Sequence, residues 1–149
     1  MTRNTMRHTL YFAYGSNMNE PQFKERCPSS YFLCRAQLPG YRFVITTRGA
    51  ANVLKREGGA VHGVLCALTE ADEQELDRRE GVHRNWYRRE WLPVVTEFGY
   101  TLTALIYIDC IEAEGVPMVG YLEKVLAGAR RHGLPPAAVA EIESWATKP

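Results

Sequence analysis

The sequence predicts a single α+β domain whose sheet is curled or closed, and three observations carry that expectation. Short runs rich in aromatic and β-branched residues crowd the chain from 9 to 108. Helical patterns gather after Val119, and strands do not alternate with helices as a parallel doubly wound sheet requires. No internal repeat, low-complexity tract or linker divides the 149 residues, so one domain, 1–149, is expected.

The elements follow in order. Thr9–Ala13 is the first strand, and it stops at the turn formers Tyr14-Gly15-Ser16-Asn17. A short helix starts at Asn19, with Glu20 and Pro21 suited to its first turn. Residues 31–38 and 41–47 read as a hairpin split by Pro39-Gly40. Residues 51–54 form a weak strand, Gly58-Gly59 a turn, and 60–68 a stronger strand. Thr69-Glu70-Ala71-Asp72 opens a helix with Thr69 as its N-cap; the helix runs to about Glu80 and Gly81 closes it. Strands follow at Tyr87–Thr96 and 100–108. Two helices end the chain, at about 119–132 and 136–146, joined by Gly133-Leu134-Pro135. The first carries an apolar stripe of Leu122, Val125, Leu126 and Ala129. Trp145 and the tail near Pro149 are expected to cap the core or to touch a second subunit.

Composition narrows the function classes. With 46% hydrophobic and 23% charged residues the chain is an ordinary globular protein, and a net charge of +1 argues against a nucleic-acid partner. Residues 1–9 are polar and basic without an apolar core, so no secretory signal is expected. No run reaches the roughly 18 apolar residues of a membrane span. Cys27, Cys34, Cys66 and Cys110 show neither a C-x-x-C pair nor zinc-like spacing, and Cys66 and Cys110 read as buried thiols of a protein in the reduced cytoplasm. His8, His62, His83 and His132 are scattered, so neither a catalytic metal nor another cofactor is expected. No thiol stands out as the nucleophile of a cysteine–histidine hydrolase. The basic clusters Arg88-Arg89 and Arg130-Arg131-His132 read as solvated faces.

Two segments carry chemistry. In the loop Tyr14-Gly15-Ser16-Asn17, Gly15 can take a positive φ and lets a ligand approach the backbone, while successive N–H groups can form a nest for a carboxylate or an oxyanion. The same residues also suit a plain strand-ending turn stabilised by Asn17. In Leu76-Asp77-Arg78-Arg79-Glu80-Gly81-Val82, helical spacing puts Glu80 one turn beyond Leu76 on the same face. If Leu76 faces the core, burial and the carbonyl end of the helix both raise the Glu80 pKa toward that of a useful general base. The other reading is a solvated glutamate at a frayed helix end.

Taken together, the chain resembles the γ-glutamylcyclotransferase family. The matching stretches are Tyr11-Phe12-Ala13-Tyr14-Gly15-Ser16-Asn17-Met18, Val61-His62-Gly63-Val64-Leu65, and 76–82 with Tyr87. Tyr121, Gly128-Ala129 and Gly133-Leu134-Pro135 complete the set in the family's order. The resemblance implies a small mixed β-barrel flanked by helices, with a cavity at one mouth and no cofactor. It implies that Tyr11, Phe12, Ala13, Tyr14, Gly15, Ser16 and Asn17 hold the γ-glutamyl head of a small-molecule substrate. It further implies that Tyr121 lines the site and that Glu80 is catalytic; read by itself, Tyr121 also suits a core aromatic beside Val125. Homodimers occur among similar proteins.

The sequence departs from the family pattern in the short glycine-rich stretch 48–60, at His62, where tryptophan is often seen, and at the bulky His83-Arg84-Asn85-Trp86. Those departures bear on the substrate. Relatives act on γ-glutamyl amino acids, on γ-glutamyl-lysine-type amides, or on γ-glutamyl groups protecting an intermediate. The expected reaction is attack of the substrate's own α-amine on its γ-carbonyl, with Glu80 moving the proton, giving 5-oxoproline and a free amine or amino acid. The competing readings are a cyclotransferase for γ-glutamylamines or peptide-linked γ-glutamyl groups, and a module that binds acidic metabolites without turning them over.

Overall fold

A computed structural model describes residues 7–146. Five strands close into a barrel in the order β1-β3-β2-β4-β5. They are β1 (Thr9–Ala13), β2 (Tyr31–Ile45), β3 (Ala51–Leu68), β4 (Tyr87–Thr96) and β5 (Thr101–Asp109). Neighbours are antiparallel except where β5 meets β1, which it joins in parallel through Tyr11 and Leu105. Among the described residues four α-helices flank this barrel: α1 (Glu20–Arg26), α2 (Glu70–Arg79), α3 (Tyr121–Arg131) and α4 (Pro136–Glu143). The expected α+β barrel flanked by helices is therefore the architecture observed.

Local chemistry explains most of the boundaries. Asn19 Oδ1 accepts the Gln22 amide at 3.1 Å and so starts α1. The Thr69 hydroxyl accepts the Asp72 amide at 3.3 Å and starts α2. Gly81, at φ 63, closes α2 in the left-handed region, and its missing side chain makes room for the Trp86 indole. Trp145 is buried against this chain's own core. Residues 1–6 and the tail near Pro149 lie outside the described residues.

Three expectations are corrected. The hairpin at Pro39-Gly40 does not form: β2 runs unbroken for 15 residues and pairs along β3, which itself runs for 18. The Pro39-Gly40 and Gly58-Gly59 pairs face each other across a bulge, where the register jumps from Pro39↔Ala60 to Tyr41↔Lys55. They bend the ribbon instead of reversing it. The reversal lies at residues 46–50, where Thr46 and Ala50 are bonded through the backbone at 3.0 Å. Cys66 is buried as expected, but Cys110 is exposed, because β5 ends one residue before it. Arg89 is half-buried instead of solvated, and its guanidinium bridges Glu73 and Asp77 at 2.7 Å each.

α3 buries Leu122, Val125 and Ala129, with Leu126 half-buried, and rests on the turn that follows β1. Gly128 makes that approach possible. A Cβ there would lie 2.5 Å from the Met18 carbonyl carbon and 2.7 Å from the Asn19 nitrogen, both main-chain atoms that cannot swing aside. Gly128→Ala is therefore expected to lower the unfolding free energy by about 1–2 kcal/mol, although alanine is the better helix former. Chemical denaturation measures the change.

Candidate active site

The strand directions assemble the site. The C-terminal ends of β1 and β5 and the N-terminal starts of β3 and β4 lie at one end of the barrel, because β1 and β5 are parallel and β3 and β4 oppose them. A cavity of about 410 Å³ opens there. The turn after β1, the first helix, the C-terminus of α2 and the start of α3 all reach into it.

One wall is the loop that the sequence singled out. Tyr11, Tyr14, Gly15, Ser16 and Asn17 line the cavity. Phe12 and Ala13 do not, which corrects their expected placement. The pleat turns the Phe12 ring away from Tyr11 toward Gly63, and Ala13 is sealed in the core. Gly15 has φ −115, so its expected left-handed conformation is not adopted. Its value is space: a Cβ would lie 3.0 Å from the Tyr121 hydroxyl and 3.3 Å from Ala51 Cβ. Ser16–Met18 forms a single 3-10 turn, of which Ser16 and Asn17 line the cavity.

Polar contacts fix the loop side chains. Asn17, 4% exposed, donates from Nδ2 to the Tyr11 hydroxyl at 3.0 Å. Its Oδ1 accepts from Gln22 Nε2 at 3.0 Å and from Arg26 Nη1 at 3.1 Å. Gln22 also donates to the Ser16 hydroxyl at 2.7 Å. Tyr121 Oη accepts the Ala51 amide at 3.0 Å and lies beside Ser16, and burial pushes its pKa up to about 12. It remains a neutral hydroxyl at any ordinary pH. Tyr14 donates to the Tyr107 carbonyl at 2.5 Å and Tyr87 to the Ala51 carbonyl at 3.3 Å.

Glu80 stands at the C-terminal cap of α2, half-buried and lining the cavity. Leu76, one turn earlier, is fully buried and holds the helix end against the core. Burial is the main cause that lifts the Glu80 pKa to about 7; buried Asp109 adds to the rise, and the positive charge of Arg26 opposes it. Among the described residues no hydrogen bond to its side chain is found, so the carboxylate is available to a ligand.

The sequence reading missed several lining residues. Gln22 and Arg26 sit four apart on the helix that begins directly after the loop, and that spacing was a readable signal that they share a face. Arg48 lies in the true β2–β3 reversal and Trp86 in the bulky segment before β4. Met118 and Val119 form part of the rim. His62, by contrast, is half-buried on β3 opposite Gln37 and away from this cavity.

Comparison with known proteins agrees with this geometry. The profile of the family described as Gamma-glutamyl cyclotransferase, AIG2-like (GGACT) matches residues 11–119. Human gamma-glutamylcyclotransferase is 29% identical over 136 residues, spanning 85% of this chain and 72% of the human protein. The Bos taurus gamma-glutamylcyclotransferase is 30% identical over 137 residues, with the same coverage of 85% and 72%. A solved structure of a gamma-glutamyl cyclotransferase superposes with a TM-score of 0.86 at 26% identity, covering 93% of this chain and 88% of that one.

Proposed function

This chain belongs to the gamma-glutamyl cyclotransferase, AIG2-like family, and from that premise we propose that it converts a γ-glutamyl compound into 5-oxoproline and a free amine or amino acid. The observation that carries the reading is Glu80: a carboxyl set against the cavity, with no protein partner of its own among the described residues and a pKa of about 7. A group built only to bind an anionic ligand gains nothing from a carboxylate in that place.

The substrate's α-amine is an ammonium at neutral pH and cannot attack until it loses a proton. Ionised Glu80 takes that proton. The freed amine bonds to the γ-carbonyl carbon, closing a five-membered ring and placing negative charge on the carbonyl oxygen. Glu80 then gives its proton to the departing nitrogen as the carbon–nitrogen bond breaks. The ionised carboxylate takes the second proton from the ring nitrogen and passes it to the released amine, leaving a neutral lactam and the glutamate as it began. Arg26, held by Asn17, and the amides of Gly15, Ser16 and Asn17 receive the anionic parts of the head group. The attacking atom belongs to the substrate, so positioning does much of the work; fixing a flexible chain in reactive geometry can remove up to ~7–11 kcal/mol of barrier in ideal cases. The four free cysteines suit a reducing compartment such as the cytoplasm.

The test is release of 5-oxoproline from γ-glutamyl-alanine, γ-glutamyl-ε-lysine and glutathione as a function of pH. Because the base must be ionised, kcat/KM is expected to fall about tenfold per pH unit below a midpoint near 7. A profile flat between pH 5 and 8 would remove Glu80 from the mechanism. Tight γ-glutamyl binding without 5-oxoproline would make the protein a binding module.

A further inference from the structure

Building on the cavity as a γ-glutamyl site, we propose that Arg48 determines the leaving group: the free edge of its guanidinium takes the carboxylate of a departing α-amino acid, which selects γ-glutamyl amino acids over γ-glutamyl amines.

Arg48 is fixed before any substrate arrives. Asp109, 1% exposed at the end of β5, accepts from Arg48 Nε at 2.9 Å and from Nη2 at 3.2 Å. The carboxylate cannot turn away, because it also accepts the Ile111 amide at 3.0 Å. Asn52 clamps the backbone of Asp109 on both sides, accepting its amide at 2.9 Å and donating to its carbonyl at 3.2 Å. This arrangement consumes the Nε–Nη2 edge of the guanidinium and leaves the Nη1–Nη2 edge, where among the described residues no acceptor meets Nη1. The arginine side chain is 29% exposed while its partner's is 0% exposed, so the unused edge belongs to the cavity side of the pair. The guanidinium also lies 5.4 Å from the Trp86 ring centre and 5.8 Å from that of Tyr87, which narrows its freedom further.

The position of Arg48 matches a leaving group more than a head group. Tyr11 and Asn17, at 5% and 4% exposed, mark the closed end of the cavity, where the loop amides and Arg26 also stand. Trp86, Met118 and Val119 mark the open rim, and all three are exposed. With the glutamyl head at the closed end and Glu80 beside the scissile bond, the departing group extends toward the rim that Arg48 shares with Trp86. A γ-glutamyl amino acid carries two carboxylates, and of the three arginines lining the cavity Arg26 and Arg48 are placed to receive them, while Arg79 is paired to Glu75 at 2.9 Å. A γ-glutamylamine carries one carboxylate and leaves the Nη1–Nη2 edge of Arg48 without an acceptor. An amine bearing its own positive charge brings donors to that edge where an acceptor is needed.

The decisive pair of substrates is γ-glutamyl-alanine and γ-glutamyl-ethylamide, which differ by a single carboxylate. The native protein is expected to favour the alanine compound by at least about 10-fold in kcat/KM. Arg48→Gln should bring that ratio toward one, and Arg48→Lys should keep part of it, since a lysine retains charge but loses the forked geometry. Thermal unfolding checks that each variant is folded. If Arg48→Gln is lost to the unpaired Asp109, the double variant Arg48→Gln with Asp109→Asn removes both charges and carries the same expectation. A native protein without preference for the carboxylate overturns the proposal while leaving cyclotransferase activity intact. So does a preference that survives in the folded Arg48→Gln or double variant. Absence of 5-oxoproline from both compounds overturns this proposal, and absence from γ-glutamyl-ε-lysine and glutathione as well ends the functional reading with it.

Discussion

Glu80→Gln is expected to lose at least about 10²-fold in kcat and, above neutral pH, to be harder to unfold than the native protein. The two effects share one cause. The folded-state pKa of Glu80 is raised from its ordinary 4.5 to about 7, chiefly by burial, so the folded protein holds this proton more tightly than the unfolded chain does. Its stabilising contribution is therefore complete below about pH 4.5 and is lost as pH rises through about 7. At 1.36 kcal/mol per unit the full shift corresponds to about 3 kcal/mol, and water at the cavity mouth reduces this to roughly 2. Glutamine carries no charge to bury and escapes the loss. Urea titrations at pH 5 and pH 8 should show the variant gaining on the native protein between the two. An active variant would end the proton-transfer role. An inactive variant with no pH-dependent gain would mean that Glu80 is hydrated and acts by another route.

That coupling was readable in the sequence because it depends on local spacing. Leu76 and Glu80 are one helical turn apart, Thr69 caps the helix and Gly81 ends it, and each of these facts is settled within a dozen residues. The first strand and the loop after it were legible for the same reason: an apolar run meeting Tyr14-Gly15-Ser16-Asn17 can only stop there. Pro39-Gly40 and Gly58-Gly59 misled because turn chemistry is local while strand pairing is not. Whether such a pair reverses a chain or merely bends it depends on the partner strand, here one that stays paired with β2 on both sides of the register jump between Pro39 and Tyr41. Arg48 was invisible for a related reason. Its place in the cavity is fixed by Asp109, 61 residues away, and nothing around position 48 announces that partner. Cys110 looked buried because the strand before it is; ending β5 one residue earlier is enough to put the thiol in water.

Leu76→Ala is expected to cost about 2–5 kcal/mol of stability, the range for deleting a fully buried leucine. A second and more informative consequence should follow for the reaction. The Leu76 side chain is what presses the last turn of α2 against the core, and the Glu80 amide donates to the Leu76 carbonyl at 2.8 Å, so the two residues move as one unit. A void under Leu76 lets that turn relax and admits water to the carboxyl of Glu80. Hydration favours the ionised form and brings the pKa down from about 7 toward the ordinary carboxylate range. The acid limb of the kcat/KM profile should therefore move to lower pH in Leu76→Ala, while the plateau falls because a weaker base draws the proton less strongly. Chemical denaturation and a pH–rate profile on the same preparation measure both effects. A loss of stability with the acid limb still near 7 would show that the barrel end, and not the helix anchor, keeps Glu80 dry.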